Sequence, residues 1–257
     1  MAFALNTFLF GTDRIATATS GISKYGHTFG GPHDRKGTAR EDCNGILIHL
    51  LHRLDLTDPA IPFTIPGVRW LPFYYCFDFR ANDLGYRLIS EEELVTFFPT
   101  DDPNVADHEE FPGGEYPREF PRSSITVAAF GYDPTDLDDA YAWAGVFGIG
   151  KLSTRDQTAA KKRVAEVMDG LDLGVPETEQ DFEEALCGPF MQGKPDSPCL
   201  NPTCANHNKK GHLMPIALMP AEPVQGVHTF GQWGGGVQLI FRMCPTCYTI
   251  RVSNQCD

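Results

Sequence analysis

Residues 237–252 read Val-Gln-Leu-Ile-Phe-Arg-Met-Cys-Pro-Thr-Cys-Tyr-Thr-Ile-Arg-Val. Apolar and β-branched residues stand on both sides of a Cys-Pro-Thr-Cys turn, and this pattern predicts two strands of a β-hairpin with both cysteines at its tip. Two thiolates that lie two residues apart on a tight turn can reach one metal ion without strain. The stretch therefore predicts a strand-rich C-terminal region that contains half of a metal site.

A second pair of cysteines, Cys199 and Cys204, lies upstream, and 39 residues separate it from Cys244. The two pairs together offer four soft donors, the ligand set with which Zn²⁺ forms closed tetrahedral sites. We predict a structural Zn²⁺ bound by Cys199, Cys204, Cys244 and Cys247 in a zinc-ribbon-like hairpin. His207 and His212 follow the first pair closely, and either could replace one cysteine of that pair as a ligand.

Four thiolates leave no open coordination position, so the predicted site would stabilise the fold and argues against zinc catalysis. Two other interpretations are ordinary buried cysteines and a redox pair at Cys244 and Cys247. A redox pair of the thioredoxin type stands at a strand-to-helix junction, whereas the residues after Cys247 alternate like a strand. The spacing and the flanking strands favour the metal.

The charge of the chain is negative and uneven. Residues 1–198 carry 17 basic and 32 acidic side chains, whereas residues 199–257 carry 4 and 2. An acidic surface repels phosphate backbones, so nucleic-acid binding is expected only in the C-terminal region, if anywhere. There, a small basic patch could form from Lys209, Lys210, Arg242 and Arg251.

The composition of the chain also limits which classes of protein it can belong to. The chain of 257 residues is 42% hydrophobic and has no apolar run long enough to cross a bilayer, which predicts a soluble globular protein without a membrane partner. Cysteines in pairs of metal-ligand spacing favour a reducing compartment, and we expect the protein to be cytoplasmic.

Three segments are predicted. Residues 1–44 form an N-terminal segment with a flexible loop over 11–44, where large apolar side chains are few. Residues 45–198 form an acidic α+β body, and residues 199–257 form the zinc-binding hairpin region, which could belong to the same domain. The expected fold class is α+β and strand-dominated, with one long and one short helix packed against the sheet.

Several elements are predicted within the body. Strands are expected over 46–51, 68–79 and 124–130, and Pro72 places the second of these at a sheet edge or a bulge. The turn residues 82–85 predict a β-hairpin over 73–89, and Ser90 with Glu93 predicts a short helix that ends before Pro99. Amphipathic spacing predicts a helix over 154–171, followed by a short helix over 177–186.

Three hypotheses on function follow. The first is a non-catalytic interaction module that binds a protein partner on a surface fixed by the metal. The second is a hydrolase-type enzyme with a pocket among His27, His33, Asp101 and Asp107, although common hydrolase and nucleotide motifs are absent from the sequence and the catalytic residues are unknown. The third is nucleic-acid binding by the C-terminal zinc ribbon.

The remaining histidines have plainer interpretations. The glycine-rich residues 26–34, which include His27 and His33, are expected to form a flexible polar loop because their ligand spacing is not diagnostic. His49 and His52 lie on a strand-like run and are expected to be core residues whose polar atoms are satisfied.

Residues 230–241, Phe-Gly-Gln-Trp-Gly-Gly-Gly-Val-Gln-Leu-Ile-Phe, and the aromatic middle of the chain resemble the YwqG-like family of bacterial proteins, whose biochemical role is uncharacterised. The resemblance implies a soluble β-rich fold. It implies no catalytic residues, and the paired cysteines are not among the residues on which the resemblance is based.

Overall fold

The structure is a computed structural model that describes residues 7–32, 35–36, 48–77, 83–99, 116–131, 133, 136–172, 174–178, 181–182, 185, 196–220 and 237–256. The chain divides into two compact units. The first comprises Met1–Ala129 together with Asp196–Asp257, and the second comprises Phe130–Pro195. The boundaries predicted after residues 44 and 198 stay predictions.

The first unit contains one sheet of eleven strands within the described residues, and all of its strand pairs are antiparallel. The strands are β1 (Thr7–Phe10), β2 (Ile15–Ser20), β3 (Thr28–Phe29), β4 (His49–Asp55), β5 (Trp70–Tyr75), β6 (Leu84–Leu88), β7 (Leu94–Phe97), β8 (Ser123–Ala129), β9 (Met214–Met219), β10 (Val237–Met243) and β11 (Ile250–Cys256). Their order in the sheet is β5-β4-β3-β8-β2-β1-β9-β10-β11-β6-β7. The strand-dominated fold that the sequence predicts is confirmed.

The C-terminal hairpin forms where the sequence predicts it. β10 and β11 pair in register from Val237 with Cys256 to Met243 with Ile250, so the Cys-Pro-Thr-Cys turn lies at the tip. Every residue of β10 is buried, because β9 and β11 flank this strand and its apolar side chains enter the core. The hairpin is thus part of the main sheet.

The sheet curls, so that strands far apart in its order meet through side chains. The Phe73 ring on β5 lies 4.6 Å from the Phe241 ring on β10, measured between centroids. The Tyr86 hydroxyl on β6 donates a hydrogen bond to the carbonyl oxygen of Pro72 on β5, at 2.8 Å. One large apolar core lies within this curl and includes Leu9, Leu51, Phe73, Leu239 and Phe241.

The predicted hairpin over residues 73–89 is wrong. β5 pairs with β4, whereas β6 pairs with β11 and β7. The turn signal at 82–85 overlaps the start of β6, because Leu84 and Gly85 already pair with Val252 and Arg251. The prediction of an edge position for Pro72 is confirmed, since β5 is the first strand in the order.

The predicted helix after Ser90 is also wrong. The Ser90 hydroxyl accepts a hydrogen bond from the Glu92 backbone N–H, and the Ser90 N–H donates to the Glu93 carbonyl. These bonds close a turn, and the β-branched and aromatic residues after it form β7 instead of a helix. The loop predicted over 11–44 contains β2 and β3, because Ile15-Ala-Thr-Ala-Thr-Ser20 alternates like a strand in spite of its small side chains.

Other predicted elements are found. β4 overlaps the strand expected over 46–51, although residues 46 and 47 lie outside the described residues. β8 matches the strand expected over 124–130, with Ile125 and Val127 buried. Asp101 and Asp107, named for the hypothetical pocket, lie outside the described residues.

The second unit is helical. It contains α1 (Leu137–Phe147), a 3-10 turn (Ile149–Lys151) and α2 (Thr154–Gly170), with a small core that includes Ala144, Ile149, Ala160 and Val164. The helix expected over 154–171 is confirmed, and it begins at Ser153, whose hydroxyl accepts from the Asp156 N–H. α1 was not predicted. Packing of the helices against the sheet stays a prediction.

Residues 181, 182 and 185 are helical, in the range where a second short helix is expected. Among the described residues, no helix combines the length and apolar composition that a bilayer-spanning segment needs.

Candidate metal centre

Four cysteines come together at the tip of the β10–β11 hairpin. Cys244 and Cys247 lie in the turn between the two strands, and Cys199 and Cys204 lie in the segment that precedes β9. The four sulfur atoms all lie within 4.8 Å of one another. Cys76, a further described cysteine, is buried in the main core and is not part of this cluster.

The distances suit a single ion. The Sγ atoms of Cys199 and Cys247 are 3.6 Å apart, and those of Cys204 and Cys244 are 3.7 Å apart. A tetrahedral ion with Zn–S bonds of about 2.3 Å would separate its sulfurs by about 3.8 Å. The four cysteines could therefore hold a metal ion with little movement of the thiols.

Backbone hydrogen bonds shape the turn of the second pair. The Cys244 N–H donates to the Thr249 carbonyl at 2.9 Å, and the Tyr248 N–H donates to the Cys244 carbonyl at 2.8 Å. Tyr248 has a φ of 56°, a left-handed conformation that a non-glycine residue rarely adopts. This turn reverses the chain over few residues and keeps Cys244 and Cys247 close together.

The first pair is held by a turn of its own. The side-chain carbonyl of Asn201 accepts from the backbone N–H of Thr203 at 3.1 Å and from its hydroxyl at 2.9 Å. The Cys204 N–H donates to the Asn201 carbonyl at 3.0 Å. Asparagine bonds of this kind stabilise turns, so they bring Cys199 and Cys204 to one side of the segment.

Asn206 connects the two pairs. Its backbone N–H donates to the Cys204 Sγ at 3.3 Å, and its side-chain amide donates to the Thr246 hydroxyl at 3.0 Å. The same side-chain amide lies 3.7 Å from the Cys244 Sγ. N–H groups directed at sulfur favour the thiolate that a metal ligand must become.

The thiols differ in acidity. Burial raises the pKa of Cys199 and of Cys204 above the usual value. Burial acts in the same direction on Cys247, but hydrogen bonding with Thr249, Cys204 and Cys199 outweighs it and lowers the Cys247 pKa to about 7. Binding of a cation at the cluster must therefore displace protons from buried thiols.

The two histidines named as alternative ligands lie elsewhere. The Nδ1–H of His207 donates to the Cys199 carbonyl at 3.0 Å, so this ring supports the backbone of the first pair. His212 has an exposed side chain. Among the described residues, the cluster of potential ligands consists of the four cysteines.

A buried arginine joins the cluster to the sheet. Arg251 on β11 donates from Nη1 to the Pro198 carbonyl at 2.7 Å, directly before Cys199. Its Nε donates to the Asp83 carboxylate at 2.7 Å, and its Nη2 donates to the other oxygen of that carboxylate. The bidentate pair fixes the guanidinium, and the fixed guanidinium in turn holds the start of the first cysteine pair.

Of the four residues that could form a basic patch, two do not lie at the surface. Arg242 and Arg251 are both buried, whereas Lys209 and Lys210 are exposed. The Arg242 guanidinium donates to the Ser253 hydroxyl at 2.9 Å, and burial lowers its pKa to about 10. These arginines support the hairpin and offer no surface to a phosphate backbone.

The histidines of the body are engaged in the core. The expectation of a flexible loop is wrong for His27, which is buried and accepts from the Asp55 N–H at Nδ1 while its Nε2 contacts Asp58 at 2.8 Å. His49 is buried, as expected of a core histidine, and its Nε2–H donates to the Pro117 carbonyl at 3.0 Å. His33 lies outside the described residues.

His52 is a second core histidine of this kind. It accepts from the Thr7 hydroxyl at Nε2 and donates from Nδ1 to the Leu51 carbonyl. Burial lowers its pKa to about 4, so it is neutral near pH 7.

Sequence reasoning found the cysteines and missed the residues around them. Asn206, Asp83 and Arg251 give no local signal, because each acts through a partner distant in the chain.

Comparison with family profiles, curated proteins and solved structures found no match to this chain. The resemblance of residues 230–241 to the YwqG-like family stays a prediction, and residues 230–236 lie outside the described residues.

Proposed function

We propose that Cys199, Cys204, Cys244 and Cys247 bind one structural Zn²⁺, and that the protein is a non-catalytic interaction module whose surface is fixed by this ion. The observation that carries the proposal is the meeting of two cysteine pairs, distant in sequence, with all four sulfurs within 4.8 Å. Two of these cysteines, Cys199 and Cys244, are buried, and Cys204 and Cys247 are partly buried.

The donor set supports zinc. Four thiolates around a tetrahedral centre suit Zn²⁺ or an iron centre, whereas Mg²⁺ and Ca²⁺ prefer oxygen ligands. Four protein ligands leave no position for water or substrate, so the ion would act on the fold and not as a catalyst. Its binding energy would tie the segment before β9 to the β10–β11 turn, in the manner of a zinc ribbon.

The test is metal content. Full-length protein purified without chelator and without added metal is analysed by plasma mass spectrometry, and its absorbance is recorded. We expect one zinc per chain, and loss of that zinc in Cys244→Ser and in Cys199→Ser. Cys76→Ala is the matched control, because this buried thiol lies outside the cluster and its removal should leave the zinc in place.

Other outcomes have distinct meanings. One iron per chain with visible charge-transfer absorbance would support the four cysteines as ligands but reject zinc as the metal. A metal-free wild type with a reversible Cys244–Cys247 disulfide would reject the metal site altogether.

An interaction role is supported by the surface around the tip. Tyr248 lies between the second cysteine pair and β11 and is 36% exposed, and Ile89 at the end of β6 is 52% exposed. We infer that these two apolar side chains form part of the binding surface beside the cysteine turn. We propose a protein partner and a reducing, cytoplasmic setting, in keeping with the free thiols of the five cysteines that the structure describes.

A further inference from the structure

A half-open cleft of about 340 Å³ lies beside the cysteine turn. Its lining comes from three parts of the chain: the segment between β4 and β5, the end of β6, and the turn that contains Cys247 and Tyr248. A volume of roughly 300–1,000 Å³ is usual for small-molecule sites. The cleft is thus large enough for an aromatic molecule of two or three rings or a short aliphatic chain.

Apolar side chains supply about half of the exposed lining, and several of them continue into the core. Ile65 and Ile250 belong to the main hydrophobic cluster, and Val68 and Leu88 pack against it. Ile89 and Tyr248 remain exposed. An apolar group placed in the cleft would therefore cover surface that is now in water and extend the core outward.

Arg87 is the charged residue of the lining. Among the residues that the structure describes, no acidic side chain lines this cleft. Arg87 is half-buried, and the structure gives it no ion pair or side-chain hydrogen bond within the described part of the chain. A guanidinium beside apolar walls is suited to a carboxylate or sulfonate, which it can bind through two parallel hydrogen bonds.

We propose that this cleft binds a small amphipathic organic anion, with its apolar body on Ile65, Val68, Leu88 and Tyr248 and its acidic group at Arg87. Charge complementarity fixes the class of ligand, because a neutral apolar molecule would leave Arg87 unpaired and a cation would be repelled. Any support that a bound metal gives to Tyr248 rests on the proposed function. The proposed ligand site is independent of that function.

The experiment uses the full chain as purified and a matched pair of fluorescent probes. 8-Anilinonaphthalene-1-sulfonate carries the anion, and N-phenyl-1-naphthylamine has the same rings without it. We expect saturable binding of the sulfonate at one site per chain and weaker binding of the neutral probe. 4-Phenylbutyrate should displace the sulfonate, and 4-phenylbutanol should compete poorly.

Variants locate the site. Arg87→Met should weaken sulfonate binding about tenfold and leave the neutral probe unchanged, whereas Arg87→Lys should retain part of the affinity. Ile89→Ser should weaken both probes. Ile22→Ser, at a side chain that is 93% exposed and outside the cleft, is the control and should change neither.

The proposal is overturned if the wild type shows no saturable binding, or if Arg87→Met binds the sulfonate as tightly as the wild type. Equal loss of both probes in Arg87→Met would also reject it, because the site would then not select for charge. Thermal melts confirm that each variant is folded, and Arg87→Lys still tests the role of the charge if Arg87→Met is not. Metal content is measured on the same samples, so loss of zinc and loss of ligand binding are told apart.

Discussion

The Arg251 guanidinium donates a hydrogen bond of 2.7 Å to the carbonyl oxygen of Pro198, the residue that precedes the first cysteine of the cluster. Arg251 lies on β11, four residues beyond Cys247. One side chain therefore connects the strand that follows the second cysteine pair to the backbone that begins the first. The relative position of the two pairs therefore depends on this bond.

Replacement of Arg251 by Met should lower metal affinity. The variant loses the bond to Pro198 and leaves the Asp83 carboxylate without its partner, and loss of a supporting group of this kind costs about 10–100-fold in metal affinity. Competition with a chromophoric chelator measures the change. Arg69→Met is the control, since it removes an arginine that is paired with Asp55 in another part of the sheet. Equal affinity in Arg251→Met and the wild type would contradict the positioning role.

Removal of the metal should loosen the cluster locally. The amides of Cys244, Tyr248 and Asn206 take part in the bonds around the sulfurs, so chelation should speed their hydrogen exchange. The amides of β1, which lies between β2 and β9, should stay protected. Exchange mass spectrometry of the zinc-loaded and chelated protein compares the two regions. Uniform acceleration across the sheet would show that the ion is needed for the whole fold.

The Tyr86 hydroxyl should contribute measurably to stability. It donates to the Pro72 carbonyl at 2.8 Å and is 3.4 Å from the Tyr74 nitrogen, so Tyr86→Phe removes the bonds between β5 and β6. We expect the free energy of unfolding to fall by about 1–2 kcal/mol in urea denaturation. Tyr248→Phe removes a hydroxyl from a partly exposed ring, and its effect should stay within about 0.5 kcal/mol. The reverse ranking would mean that the curl of the sheet does not depend on Tyr86.

Stability should fall in mild acid because of His52. Burial lowers its folded pKa to about 4, below the ordinary value of 6.5, and nearby His27 acts in the same direction. The unfolded chain binds the proton first, so the contribution is complete above pH 6.5 and is lost as the pH falls toward 4. The loss should approach roughly 3 kcal/mol at the acid end of this window.

The variant His52→Gln isolates this effect. It disrupts the bonds to Thr7 and Leu51 and is expected to be less stable at pH 7, but its free energy of unfolding should change less between pH 6.5 and 4. The four clustered cysteines are the same in both proteins, so their pH dependence cancels in the difference. Parallel pH profiles for the two proteins would rule out His52 as the titrating group.

Local patterns in the sequence predicted the local parts of the fold. The β10–β11 hairpin follows from two apolar runs around a four-residue turn, and α2 follows from its apolar face and the cap at Ser153. The hairpin over 73–89 failed because β6 pairs with β11, and a preference for a partner more than 160 residues away leaves no trace in nearby residues. The helix after Ser90 failed because strand-forming side chains outweighed the capping signal.

In the candidate site, too, short-range features could be predicted and long-range contacts could not. Cysteine spacing predicted which thiols meet, because short intervals limit the reach of each pair. The bonds of Arg251 to Pro198 and to Asp83 span 53 and 168 residues, and no spacing rule connects positions so far apart. The buried state of Arg242 and Arg251 likewise depends on strands that are brought together only by the complete sheet.

The order of the strands also has a consequence for synthesis. β1 pairs with β2 on one side and with β9 on the other, and β6 pairs with β11. Both β9 and β11 are synthesised long after the strands that they pair with. A chain that is still emerging from the ribosome therefore presents two unpaired strand edges until almost all of it has been made. Its sheet is dominated by contacts distant in sequence, which slow folding. We expect the nascent protein to need protection from aggregation over this interval, more than a fold whose neighbouring strands follow one another along the chain.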